Sequence, residues 1–301
     1  MKLLTYIERD GNRLGIRTEQ GVIAVAEAAS KAGIAAPRTI HEAIEGGAEA
    51  LSALKKVEDY VLTAGHDAAE SLLLSESALS LAPCVTAPSK IICVGLNYRK
   101  HAEETNAKIP EYPILFNKFP NTLTAHGRDV ALPRATNKVD YEAELVIVIG
   151  KKTKYVSREE ALHHVFGYCC VNDLSARDLQ LRTPQWMLGK VCDDFSPLGP
   201  YVVTADEVGD PNTLAISCTV NGEVRQSSNT SDMIFPCDEI VSYISQHFTL
   251  EPGDIILTGT PEGVVLGYPP EKQVYLQDGD IVTIEIEKLG SITNRMVNEP
   301  T

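Results

Sequence analysis

Short runs of alternating apolar and polar residues fill most of this chain, and their character changes near residue 90. Before that point, residues 3–8, 14–17 and 21–25 read as strands, and the compact turn Arg9-Asp-Gly-Asn12 joins the first two. Ala- and Glu-rich pieces at 27–32, 40–46 and 48–62 read as helices. Residues 81–90, with Pro83 and Pro88, read as a linker. This pattern predicts a small α+β N-terminal domain over residues 1–80 and a second domain over 81–301.

The second domain is strand-rich. Strands are predicted over 91–94, 114–117, 142–149, 166–172, 201–204, 215–220, 255–258 and 281–286, with a few helical pieces between them, such as 158–164 and 238–246. Asn221-Gly222 between two β-prone runs is a hairpin turn. The class expected is α+β, mostly β.

One strand breaks its own pattern. Val139-Asp-Tyr-Glu-Ala-Glu-Leu-Val-Ile-Val-Ile-Gly150 carries Glu142 and Glu144 into a Val/Ile run, and strand alternation turns both side chains to one face. Two like charges beside an apolar run are costly to desolvate unless a positive charge sits between them. Downstream, the apolar strand Gly167-Tyr-Cys-Cys-Val-Asn ends on Asp173, which offers a third oxygen ligand. Three carboxylates without a thiolate or a His pair suit magnesium, calcium or manganese better than zinc or copper. The alternative is a solvated strand face with Asp173 as a turn cap.

The whole chain carries 27 Lys and Arg against 41 Asp and Glu, a formal net charge of −14. That balance argues against nucleic acid or an anionic membrane as partner, but not against a small anion held by one or two placed cations. The apolar stretch at the start is too short for a signal peptide, no run is long enough to cross a bilayer, and a cytosolic location is expected. The seven cysteines show no Cys-x-x-Cys spacing and read as reduced packing residues.

Three further places can carry chemistry. His101 and Glu104 lie three apart on a short predicted helix, where a carboxylate on one imidazole nitrogen prepares the other as a general base. An exposed histidine with an ordinary helix partner is the alternative. Lys190 stands alone in an apolar setting, suited either to neutralise a substrate carboxylate or enolate, or to snorkel over Trp186. In Gly253-Asp-Ile-Ile-Leu-Thr-Gly-Thr-Pro-Glu-Gly-Val264 the Gly-rich turn lacks the Gly-Lys-Ser/Thr of a phosphate loop, while its amides and Thr260 can grip a carboxylate.

In one order, Gly95-Leu-Asn-Tyr-Arg-Lys-His101, Asp140-Tyr-Glu-Ala-Glu144, Asn172-Asp-Leu-Ser-Ala-Arg-Asp178, Gly189-Lys190 with Pro197-Leu-Gly-Pro200, and Thr258-Gly-Thr-Pro-Glu-Gly-Val264 resemble the fumarylacetoacetate hydrolase family over most of residues 85–295. The resemblance implies a mixed β-roll, a homodimer, and one Mg2+ or Mn2+ bound by Glu142, Glu144 and Asp173. It also implies that Arg177, Gln180, Lys190 and Thr260 contact the acid and keto groups of the substrate. His101 and Glu104 fall where carbon–carbon bond-cleaving members carry a His/Glu dyad on a lid helix. The first expectation is therefore a metal-dependent hydrolase of 2,4-diketo acids of acylpyruvate or fumarylacetoacetate type. Oxaloacetate decarboxylation, isomerisation or decarboxylation of 2-hydroxyhepta-2,4-diene-1,7-dioate, and a non-enzymatic keto-acid-binding protein are the alternatives. Substrate specificity is expected from residues 106–112 and 265–273.

Overall fold

The strand Ala143–Ile149 is buried along its whole length, because it lies well inside an eleven-stranded sheet. Our computed structural model describes residues 1–63 and 71–299. Val165–Asn172 and Ile255–Leu257 flank that strand, both antiparallel to it. Ile91–Gly95 and then Ile114–Lys118 continue on the Ile255–Leu257 side. Ser196–Thr204 continues on the other side, joining Val165–Asn172 to the N-terminal strands. Lys2–Glu8 pairs with it through Lys2 opposite Val203, and Gly11–Thr18, Gly21–Ala24 and Leu73–Leu74 follow outward. Residues 1–80 thus add strands to the main sheet.

A strand covered on both faces must be apolar on both, and the parity of Ala143–Ile149 divides its side chains between two cores. Leu145, Ile147 and Ile149 face a second, five-stranded sheet and pack with Ile216, Cys218, Ile284 and Met296. That sheet runs Glu223–Asn229, Ala215–Val220, Ile281–Ile286, Gly290–Asn298, Asp129–Leu132. Val146 and Val148 face the other way with Cys169 and Val171, over a core that includes Leu3, Ile16, Ala28, Ile44 and Leu54. Helices Val25–Ala32 and Ile40–Thr63 bring the last three of these. The fold is α+β and mostly β, as expected from the sequence.

The two helices expected over 40–46 and 48–62 are both present within Ile40–Thr63, parted at Gly47, whose φ of 51° and ψ of −130° are not helical. Differences from the sequence reading elsewhere have local causes. Residues 158–164 divide into an α-helical turn, Arg158–Ala161, and a 3-10 turn, Leu162–His164. Gly290–Asn298 and Asp129–Leu132 were not predicted: both carry polar residues and pair in parallel at the edge of the small sheet. The strand Ser196–Thr204 begins five residues before the predicted 201–204, because Pro197 and Pro200 punctuate it like a loop. Among the described residues no helix is long and apolar enough to cross a membrane.

Gly167 marks the tightest part of the frame that ends at Asp173. A Cβ there would lie 2.9 Å from the Val203 carbonyl carbon and 3.1 Å from the Thr204 Cα, both backbone atoms of the paired strand. Gly167→Ala is therefore expected to cost about 1–3 kcal/mol of stability through overpacking. Urea unfolding of the two proteins checks this, and an unchanged midpoint would contradict it.

Candidate active site

Glu142, Glu144 and Asp173 lie on the sheet face that carries Val146, Val148, Cys169 and Val171. The register places Glu144 opposite Val171 and Ala143 opposite Asn172. The Asp173 amide donates to the Glu142 carbonyl at 2.9 Å, extending the ladder by one step. Strand pairing alone thus brings the three acids to one spot where the apolar face ends. Each offers an oxygen within 4.8 Å of the others, and all three are buried. The expectation that the two glutamates point the same way holds, and the solvated-face alternative does not.

Three buried cations press against these acids. Lys190 Nζ donates to Glu142 Oε2 and to Asp173 Oδ2, both at 2.6 Å. Lys118 Nζ donates to Asp173 Oδ1 and to the Phe195 carbonyl. Arg177 donates from Nε to Asp140 Oδ2 at 2.8 Å and from Nη1 to Gln180 Oε1 at 2.9 Å. Its Nη2 is 2.7 Å from Glu142 Oε1 as an ion pair but makes no hydrogen bond among the described residues. Lys190 is therefore no surface lysine over Trp186: it is 2% exposed and sits between two carboxylates.

The charges do not balance. Among the described residues, Lys118, Arg177 and Lys190 are the cations paired with Asp140, Glu142 and Asp173, and Glu144 is the fourth acid beside them. Burial pushes the Glu142 carboxyl upward, but Lys190 and then Arg177 outweigh it and hold the group at about 2. Glu144 has no ion-pair partner among the described residues. Burial, then Asp173 and Glu142, push its carboxyl well above the ordinary range, outweighing Lys190 and the Gly259 amide that donates to it at 2.8 Å. Burial works against the Lys190 ammonium too, yet Asp173 and Glu142 keep its pKa above the usual lysine value. The cluster is short of positive charge and offers oxygen donors alone, so its residues fit a hard divalent ion held by Glu142, Glu144 and Asp173.

Beside the acids stands the helix Arg99–Glu104, with His101 buried on it. His101 Nδ1 is 2.7 Å from Glu104 Oε1, and Glu104 Oε2 accepts from the Gly263 amide at 3.0 Å. The helix is aimed by Asn97, whose side chain donates to the Phe235 and Thr258 carbonyls and accepts from the Phe235 amide. The turn after Ile255–Leu257 is equally fixed. Gln226 Nε2 donates to Thr260 Oγ1 and the Pro261 carbonyl, and Tyr141 donates to the Gly263 carbonyl. The exposed-histidine alternative fails, since His101 is 8% exposed.

One cavity of about 270 Å³ collects these groups: His101, Glu142, Glu144, Arg177, Gln180, Lys190 and Thr260 line it. Asp173 and Glu104 sit directly behind, on Lys190 and His101. The remaining wall is mostly apolar, with Ile114, Phe116, Leu181 and Trp186 prominent. The Lys190 ammonium lies 5.1 Å from the Phe116 ring centroid. Of the segments expected to set specificity, 106–112 supplies Ala107 and 265–273 supplies Leu266. Sequence reasoning missed Lys118, Asp140 and the aromatic pair Phe116 and Trp186. Lys118 shares strand parity with Ile114 and Phe116, a signal that pointed it toward the same face.

Residues 90–297 match the family model described as fumarylacetoacetate (FAA) hydrolase C-terminal. The human protein named oxaloacetate tautomerase FAHD2A, mitochondrial, is 43% identical over 264 residues, covering 87% of this chain and 80% of that protein. The solved fumarylacetoacetate hydrolase of Exiguobacterium antarcticum is 32% identical with a TM-score of 0.81, over 99% of this chain and 100% of that one. The maleylpyruvate hydrolase of Sphingobium sp. SYK-6, solved with manganese(II) and pyruvate, is 29% identical with a TM-score of 0.78 over the whole of both chains. With the family model spanning the acid cluster and the strands that carry it, this chain belongs to the fumarylacetoacetate hydrolase family.

Proposed function

We infer that this chain is a divalent-metal-dependent enzyme that moves a proton on a 2-keto acid of oxaloacetate type, interconverting its enol and keto forms, with His101 as the base. The observation that carries this reading is the buried His101–Glu104 pair facing the same small cavity as the three-acid cluster. Hydrolysis of a 2,4-diketo acid, ranked first from the sequence, becomes the second reading. The name of the 43% identical human relative favours proton transfer, and the pyruvate-bound maleylpyruvate hydrolase favours hydrolysis.

Both readings use the same groups. Glu104 holds Nδ1 of His101 and fixes the tautomer, which leaves Nε2 to take a proton from the carbon beside the keto group or from an attacking water. Arg177 Nη2 and Gln180 meet the substrate carboxylate, and Lys190 stabilises the negative charge that develops on the enolate oxygen. Glu142, Glu144 and Asp173 would hold a divalent ion, which would supply Lewis acidity there. The apolar wall excludes water and strengthens each of these interactions.

Purified protein with Mg2+ should accelerate enol-to-keto conversion of oxaloacetate, followed by ultraviolet absorbance, more than it cleaves acetylpyruvate. The reverse preference would promote the hydrolase reading, and no action on either acid would remove both. His101→Ala should lower kcat by roughly 100-fold or more, the scale of general-base catalysis, with Mn2+ affinity retained. Wild-type kcat in that variant would exclude His101 as the base.

Chelation with EDTA should abolish turnover and Mg2+ or Mn2+ should restore it, while Glu142→Ala should neither bind Mn2+ nor turn over. The raised pKa of Glu144 means the ion-free cluster keeps a proton at pH values where an ordinary glutamate is ionised. A metal must displace that proton, so Mn2+ affinity should rise with pH and binding should release it. Calorimetry in buffers of different ionisation enthalpy measures the release. Affinity that does not change with pH would contradict this charge assignment.

A further inference from the structure

Glu104 is held in a seat made by another part of the chain. Its Oε1 meets His101 and its Oε2 accepts from Gly263, but the third wall is the backbone of Gly267, which ends the 3-10 turn Val265–Gly267. A Cβ on residue 267 would overlap the Glu104 carboxyl carbon and lie 2.5 Å and 2.8 Å from its two oxygens. No backbone atom is among the three nearest that it would meet. Only the far end of one flexible side chain would have to give way.

The seat itself is anchored to the acid cluster. Asp140 Oδ1 accepts from the Val265 amide at 2.9 Å and its Oδ2 from the Leu266 amide at 3.0 Å, while Arg177 Nε binds the same Oδ2. Asp140 is fully buried, so its two oxygens fix the height of the turn above the sheet. The turn that shapes the Glu104 seat and the arginine beside Glu142 thus hang on one carboxylate.

We propose that Gly267 is a positioning residue for catalysis: the missing side chain leaves room for the Glu104 carboxylate, and the turn carrying it, clamped by Asp140, sets whether His101 is oriented as a base. The proposal rests on the dyad reading given above. It predicts that a single methyl at position 267 disables the dyad by moving Glu104, without disturbing either the fold or the acid cluster.

The test compares Gly267→Ala, Glu104→Ala and the double variant, each with Mg2+ and oxaloacetate. Gly267→Ala should lower kcat by about 10- to 100-fold, within the range of general-base catalysis, with KM and Mn2+ affinity near wild type. The double variant should be no slower than Glu104→Ala alone, because both changes remove one interaction. Wild-type kcat in Gly267→Ala overturns the proposal, as do losses that multiply in the double variant. Unfolding or loss of Mn2+ binding in Gly267→Ala overturns it too, since only the end of Glu104 should move. Full activity in Glu104→Ala would instead sink the dyad reading itself, which separates the two failures.

Discussion

Four carboxylates buried against three cations at the end of an apolar sheet face are the constraint on which this molecule depends. Burying an ion without a partner costs several kcal/mol, so Asp140, Glu142, Glu144 and Asp173 oblige Lys118, Arg177 and Lys190 to be where they are. Those cations come from three separate segments, and each must fold onto the sheet edge to meet its acid. The requirement therefore organises the strand Ile114–Lys118 and the short helices Arg177–Gln180 and Met187–Lys190 around one point. One acid more than the cations leaves Glu144 without an ion-pair partner among the described residues, a donor set that suits a divalent ion.

The rest of the site is arranged by neutral groups. Asn97, Gln226 and Tyr141 hold the helix Arg99–Glu104 and the turn at 258–267 through backbone hydrogen bonds. Asp140 connects the two halves, since it takes Arg177 on one side and two turn amides on the other. The acid cluster and the His101–Glu104 pair are thus one connected structure, so geometry at one end is transmitted to the other by short, buried bonds. Such a preorganised arrangement suits proton transfer, where the base must be held at a fixed angle to the carbon or water it meets.

The same connected groups explain why related proteins carry names of different reactions. A tautomerase and a C–C hydrolase both need a keto acid held by its head, a base near the carbon beside it and charge stabilisation for an enolate. What differs is the substrate beyond the head and whether water has access to it. Here that outer region is apolar, made by Ile114, Phe116, Leu181 and Trp186. On the reading proposed above, that wall would select the substrate and the charged floor would hold its head group.

Much of this was legible in the order of residues. Alternation fixed Glu142 and Glu144 on one face, the end of an apolar strand marked Asp173, and helical spacing joined His101 to Glu104. Each of those is a local rule acting over fewer than about ten residues, within one element or at its end. The mostly β class followed from the same periodicities. What sequence could not give was anything resting on which strands pair. The positions of Lys118 and Asp140 in the site, the seating of Glu104 against Gly267 and the continuation of the N-terminal strands into the main sheet all depend on contacts across dozens to more than a hundred residues. Local propensity carries no information about such partners, because they are selected by the burial of both sheet faces and by the need of each buried charge for its opposite.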